Sequence, residues 1–85
     1  MRAAVIDMGT NTFNLLVGEQ SNTGINILYQ EKIFVKIGKG GISNGTITEV
    51  AIERALSALH LLKQKAQRFN VKLISATATS AIRSA

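Results

Sequence analysis

Cysteine, proline and tryptophan are absent from this 85-residue sequence, and histidine occurs once, as His60. Without cysteine there is no disulfide and no thiolate zinc site. One imidazole cannot build a histidine metal cluster. Carboxylates are scarce too: Asp7, Glu19, Glu31, Glu49 and Glu53 are all of them. Most catalytic constellations therefore cannot be assembled from this chain alone. No apolar run approaches the ~18 residues of a membrane span. The start reaches an acid at Asp7, too soon for a signal-peptide apolar stretch. No cysteine and no targeting segment together favour the cytoplasm.

What is present reads as a folded chain. Hydrophobic residues make up 46% and charged residues 18%, which excludes a disordered or low-complexity chain. The length allows one domain at most, and so short a chain buries only roughly 60% of its surface. The net charge of +5 is uneven, because no acid follows Glu53 while Arg54, Lys63, Lys65, Arg68, Lys72 and Arg83 do. Such a basic stretch suits a polyanion. It equally suits part of a larger protein whose charge is balanced elsewhere, since the cations never form a run.

The apolar pattern predicts β-β-β-α-β and then the start of a second helix. Residues 3–8 form an apolar run that fits a strand buried on both faces. A second run covers Phe13 to Val17, and Ser21-Asn22-Thr23-Gly24 is a turn by composition. A third strand is expected from Ile25 to Ile37, where Ile33, Val35 and Ile37 alternate with Phe34 and Lys36. Short links make these three an antiparallel meander. Thr48 is the expected N-cap of a helix, with Glu49 in its first turn. Ile52, Ala55, Leu56, Leu59, Ala66 and Phe69 form its expected apolar stripe, and Asn70 closes it. Val71 to Thr77 is the fourth strand, expected parallel to the first by a right-handed crossover. Thr79 or Ser80 caps the second helix.

Three segments carry polar chemistry. Asp7-Met8-Gly9-Thr10-Asn11-Thr12 lies between two strands and offers N–H groups and hydroxyls to an anion. Asp7, ending an apolar strand, suits a hydrated Mg²⁺. The same residues also read as an ordinary hairpin turn with a solvated Asp. Lys36-Ile37-Gly38-Lys39-Gly40-Gly41 suits phosphate oxygens or a plain connection, and its spacing is not that of a Walker loop. Thr77 to Arg83 opens a helix, whose N-terminus binds anions, with Arg83 able to fork onto a phosphate. It reads as well as a capped surface helix with a solvated Arg. His60 is expected to be half-buried beside the stripe. Tyr29 and Phe34 lack the Arg/Lys patterning of a nucleic-acid surface.

The run Val5-Ile6-Asp7-Met8-Gly9-Thr10-Asn11-Thr12-Phe13-Asn14-Leu15-Leu16-Val17 resembles the opening of the exopolyphosphatase / guanosine pentaphosphate phosphatase family. Val35-Lys36-Ile37 with Gly40, the helix opening around Thr48 with Glu53 and Arg54, and Thr79 to Ala85 resemble later landmarks of that family in the same order. The resemblance implies an α/β, ribonuclease-H-like domain of the actin-like ATPase superfamily, here incomplete. Residues 1–85 would be the N-terminal part of the first such domain. It implies a hydrolase that releases orthophosphate from polyphosphate or guanosine pentaphosphate with Mg²⁺. Gly9, Thr10, Asn11, Thr12, Lys36 and Gly40 would bind phosphate, Asp7 would serve the metal, and Arg83 would hold the phosphoryl group under attack. Asn14 stands where many relatives have Arg or His. The family's water-activating Glu and second phosphate loop would follow Ala85, so the chain alone is expected to be inactive. The resemblance allows a homodimer of the full-length protein, with no nucleic acid and no membrane as partner. A sugar- or acetate-kinase-like ATPase and a basic polyanion-binding module are the alternatives.

Overall fold

The computed structural model describes residues 1–36, 42–43 and 46–78. The expected Thr79/Ser80 cap, Arg83, and the Gly38–Gly41 loop with Lys39 and Gly40 lie outside the described residues. The first strand, β1, spans Arg2–Met8, β2 spans Thr12–Ser21 and β3 spans Gly24–Phe34. They form the expected antiparallel meander, with Ile6 opposite Leu15 and Phe13 opposite Ile33. Gly24 closes the β2–β3 turn at φ +139°, a conformation that glycine adopts without strain. A small hairpin follows, β4 (Ile42–Ser43) with β5 (Thr46–Ile47), too short for alternation to reveal in the sequence. Helix α1 spans Glu49–Gln67, and β6 (Leu73–Ala78) returns parallel to β1, giving the sheet order β3-β2-β1-β6.

The helix boundaries follow from local chemistry. Thr48 is extended, and its hydroxyl accepts a 3.3 Å hydrogen bond from the Ala51 amide. Glu49 sits in the first turn and Lys65 in the last, as the helix dipole favours. Beyond the Arg68 cap, Asn70 takes φ +55° and stops the helix, as expected.

The buried face of α1 keeps most of the expected stripe: Ala66 is buried, and Ala55, Leu59 and Phe69 pack against the core, but Ile52 and Leu56 do not. Ala51, Ala58, Leu62 and Ala66 are buried, while Ile52 and Leu56 are 43% and 60% exposed. The buried arc is centred between Ala51 and Ala55, so its edge stops short of Ile52 and Leu56. Three alanines on the buried face let the helix lie close over Ile6, Phe13, Leu15 and Val17. A search for large apolar residues undervalues that face. His60, next to Leu59, is exposed rather than half-buried.

Two strand readings also change. β1 is covered on one side only: Ala4 and Ile6 are buried, whereas Val5 is 42% exposed. β3 stops at Phe34, short of Ile37. Beyond it the Val35 and Lys36 amides both donate to the Asn11 carbonyl, at 2.8 and 3.1 Å, and Lys36 takes φ +53°. That left-handed turn ends the period-two pattern.

Candidate functional site

The β1–β2 connection is a tight loop. The Gly9 amide donates to the Thr12 carbonyl at 2.9 Å. A Cβ on Gly9 would stand 3.0 Å from that same oxygen, so the close approach favours glycine. Thr10 is half-buried and Asn11 exposed. Because Asn11 accepts from Val35 and Lys36, the loop docks on the chain that leaves β3. The fold thereby brings together five of the expected residues, Gly9, Thr10, Asn11, Thr12 and Lys36, although they come from two separate segments.

Asp7 lies beside this loop, on the face of the sheet away from α1, and is exposed. The register gives it neighbours. Thr77 of β6 and Asn14 of β2 flank Asp7, and Lys32 of β3 lies opposite Asn14. The order Thr77–Asp7–Asn14–Lys32 is therefore one polar row across all four strands. The Thr77 hydroxyl donates to the Asp7 carboxylate at 3.4 Å, a long contact. The Asp7–Thr77 meeting was missed from sequence, because the offset of a parallel pair separated by a helix leaves no local mark.

The remaining carboxylates are placed elsewhere. Glu19 pairs with Arg2 at 2.6 Å, and the hydrogen bond from that guanidinium holds its carboxyl below the usual range. Glu31 accepts from Lys65 at 2.5 and 2.6 Å and from the Tyr29 hydroxyl. The Lys65 hydrogen bond, then that from Tyr29, lowers the Glu31 carboxyl. The same contact with Glu31 raises Lys65 and Tyr29. Tyr29 also packs on Phe69, ring centroids 5.4 Å apart. This network ties β3 to α1 and is structural. Glu49 and Glu53 are exposed on α1.

The helix cations do not all face water, as their scatter in the sequence suggests. Lys65 is paired, and Arg54 donates to the Val35 carbonyl at 2.8 Å and the Lys36 carbonyl at 3.2 Å. Among the described residues no trio of His, Asp or Glu could hold a metal ion, and no helix is long and apolar enough to cross a membrane.

The comparisons with known proteins show the family and the fold. The model of the Ppx/GppA phosphatase family matches residues 16–85. The chain belongs to the Ppx/GppA phosphatase family. An exopolyphosphatase crystal structure from Cytophaga hutchinsonii is 46% identical with a TM-score of 0.91, over 99% of this chain and 27% of that one. The Aquifex aeolicus Ppx/GppA family member is 28% identical with a TM-score of 0.90, over 100% of this chain and 28% of that one. A guanosine-5'-triphosphate,3'-diphosphate pyrophosphatase of Aliivibrio fischeri is 29% identical over 94% of this chain and 16% of its own length. The chain thus spans about a quarter of the length of the exopolyphosphatases it matches. Its strand order is the incomplete α/β, ribonuclease-H-like fold of this Ppx/GppA phosphatase family, as expected.

Proposed function

We propose that this chain supplies one phosphate-holding wall of a phosphoanhydride hydrolase that acts on inorganic polyphosphate or guanosine pentaphosphate and releases orthophosphate. The observation that carries the reading is the loop of residues 9–12, locked on itself and on Lys36, with Asp7 beside it. Family membership supports the phosphatase class. The names of the relatives supply the two substrates.

The roles follow from charge. A terminal phosphate is compact and polyanionic. The Thr10 and Thr12 hydroxyls and the loop amides would bind its oxygens, and Lys36 would offset its charge. Arg83 and Gly40, which lie outside the described residues, would add to phosphate binding. The donor set suits Mg²⁺, which is bound through one or two carboxylates together with waters and substrate phosphates. Asp7 is one exposed carboxylate with the Thr77 hydroxyl alongside, and it would hold the ion. When bound, Mg²⁺ neutralises charge on the phosphate oxygens.

Hydrolysis needs a group that orients water. Among the described residues Asp7 belongs to no group of three His, Asp or Glu, and Glu19 and Glu31 are taken up by cations. The chain by itself is therefore proposed to bind and not to turn over. The basic-module alternative loses support from the same facts, because Arg2, Arg54 and Lys65 all have internal partners.

Amide NMR of the whole chain with Mg²⁺ and inorganic tripolyphosphate tests the reading. Shifts centred on Gly9–Thr12 that sulfate at equal ionic strength does not reproduce are expected. Tighter binding of ATP than of tripolyphosphate would favour a kinase-like site. Shifts spread over Lys63, Arg68 and Lys72 with a steep salt slope would favour the basic module.

A further inference from the structure

From the second turn of α1, Arg54 reaches the chain on which the loop of residues 9–12 docks. The Arg54 guanidinium donates from Nε to the Val35 carbonyl at 2.8 Å and from Nη2 to the Lys36 carbonyl at 3.2 Å. The amides of the same two residues donate to the Asn11 carbonyl, at 2.8 and 3.1 Å. Val35 and Lys36 are thus held on both sides: their carbonyls by Arg54, their amides by the loop. Val35 is 2% exposed and anchored in the core, whereas Lys36 sits at φ +53°. A lysine in the left-handed region is uncommon and persists only where its surroundings enforce it. Arg54 is the enforcing group on the carbonyl side. Its rigid fork of donors matches two neighbouring carbonyls, and a lysine ammonium cannot reproduce that fork.

We propose that Arg54 is a positioning residue for phosphate capture. It fixes the turn at Val35–Lys36, and through that turn the placement of Asn11, the loop and Lys36. It sets affinity for a terminal phosphate without touching it. This rests on the phosphate reading of the loop given above.

The test uses the full chain and inorganic tripolyphosphate with Mg²⁺, and reads two quantities: amide hydrogen exchange and binding midpoint. In Arg54→Ala the Val35 and Lys36 amides should exchange at least tenfold faster, while those of Ile6 and Leu15 keep their protection. The binding midpoint should rise at least fivefold. Arg54→Lys should exchange nearly as fast as Arg54→Ala at Val35 and Lys36, because it keeps the charge and loses the fork. Lys63→Ala, an equal charge change at an exposed position on the same helix, should alter neither quantity. If the unaltered chain shows no tripolyphosphate shifts at residues 9–12, the phosphate reading itself falls. If it binds and Arg54→Ala binds equally well, only the Arg54 assignment falls. If Arg54→Ala loses protection throughout, Arg54→Lys decides: unchanged exchange at Val35 and Lys36 overturns the proposal.

Discussion

The two faces of the sheet are built from alternate residues of the same strands, yet they do different work. Toward α1 point Ala4, Ile6, Phe13, Leu15 and Val17, all buried. The opposite face carries Ala3, Val5, Leu16, Ile25 and Ile27 at one end and Asp7, Asn14, Lys32 and Thr77 at the other. The first face is apolar over β1 and β2, and only at its β3 edge does it carry a charged pair, Glu31 with Lys65. The second changes character along the strands: apolar near the β2–β3 turn, polar next to the loop of residues 9–12. A one-residue slip in register would exchange the two sets, so the core face also fixes which side presents Asp7. The strand period of two thereby separates the buried face from the face that carries Asp7.

Substitutions should separate the faces in the same way. Phe13→Ala removes a fully buried ring and should cost about 3–5 kcal/mol, enough to unfold a small domain, as read by urea denaturation. Thr48→Ala acts on the helix that covers this face. Loss of the cap to Ala51 should cost about 1 kcal/mol in the same measurement. On the other face, Ile25 and Ile27 are 73% and 52% exposed. The double variant Ile25→Thr/Ile27→Thr should shift stability by less than about 1 kcal/mol, while light scattering shows reduced self-association. A large loss of stability there would break the comparison.

The smallest effect is expected from the Glu31–Lys65 pair between sheet and helix. Glu31 is lowered by Lys65, so its stabilisation is present above the unfolded carboxylate value, about 4.3, and is lost as pH falls through the folded one. Lys65 is raised by Glu31, so its part is present below about 10.4 and lost as pH rises through its folded value. Thermal melts of Glu31→Gln should lie slightly below those of the unaltered chain at neutral pH and converge with them in acid.

Local signals made much of the fold legible. The alternation of Ile and Val, the Ser21–Gly24 turn, the Thr48 cap and the Asn70 stop all act within a few residues of their effect. The expected strand order appears for that reason. What stayed hidden depends on partners far apart in the chain. Which edge of the α1 stripe is buried is set by how closely Ala51 and Ala58 let the helix approach the sheet, so Ile52 and Leu56 are left outside. The end of β3 is decided by the Asn11 carbonyl, more than twenty residues away. The loop of residues 9–12 and Asp7 were visible as a motif, but their grouping with Lys36 and Thr77 needed the register.

On the proposed function, this chain holds a terminal phosphate and does not cleave it. Phosphorus-31 NMR of inorganic tripolyphosphate with Mg²⁺ and the full chain reads both halves at once. The account predicts that the terminal phosphorus signals shift or broaden more than the internal one, with no orthophosphate appearing beyond a protein-free control. Unchanged terminal signals, or orthophosphate accumulating with the protein, would contradict it.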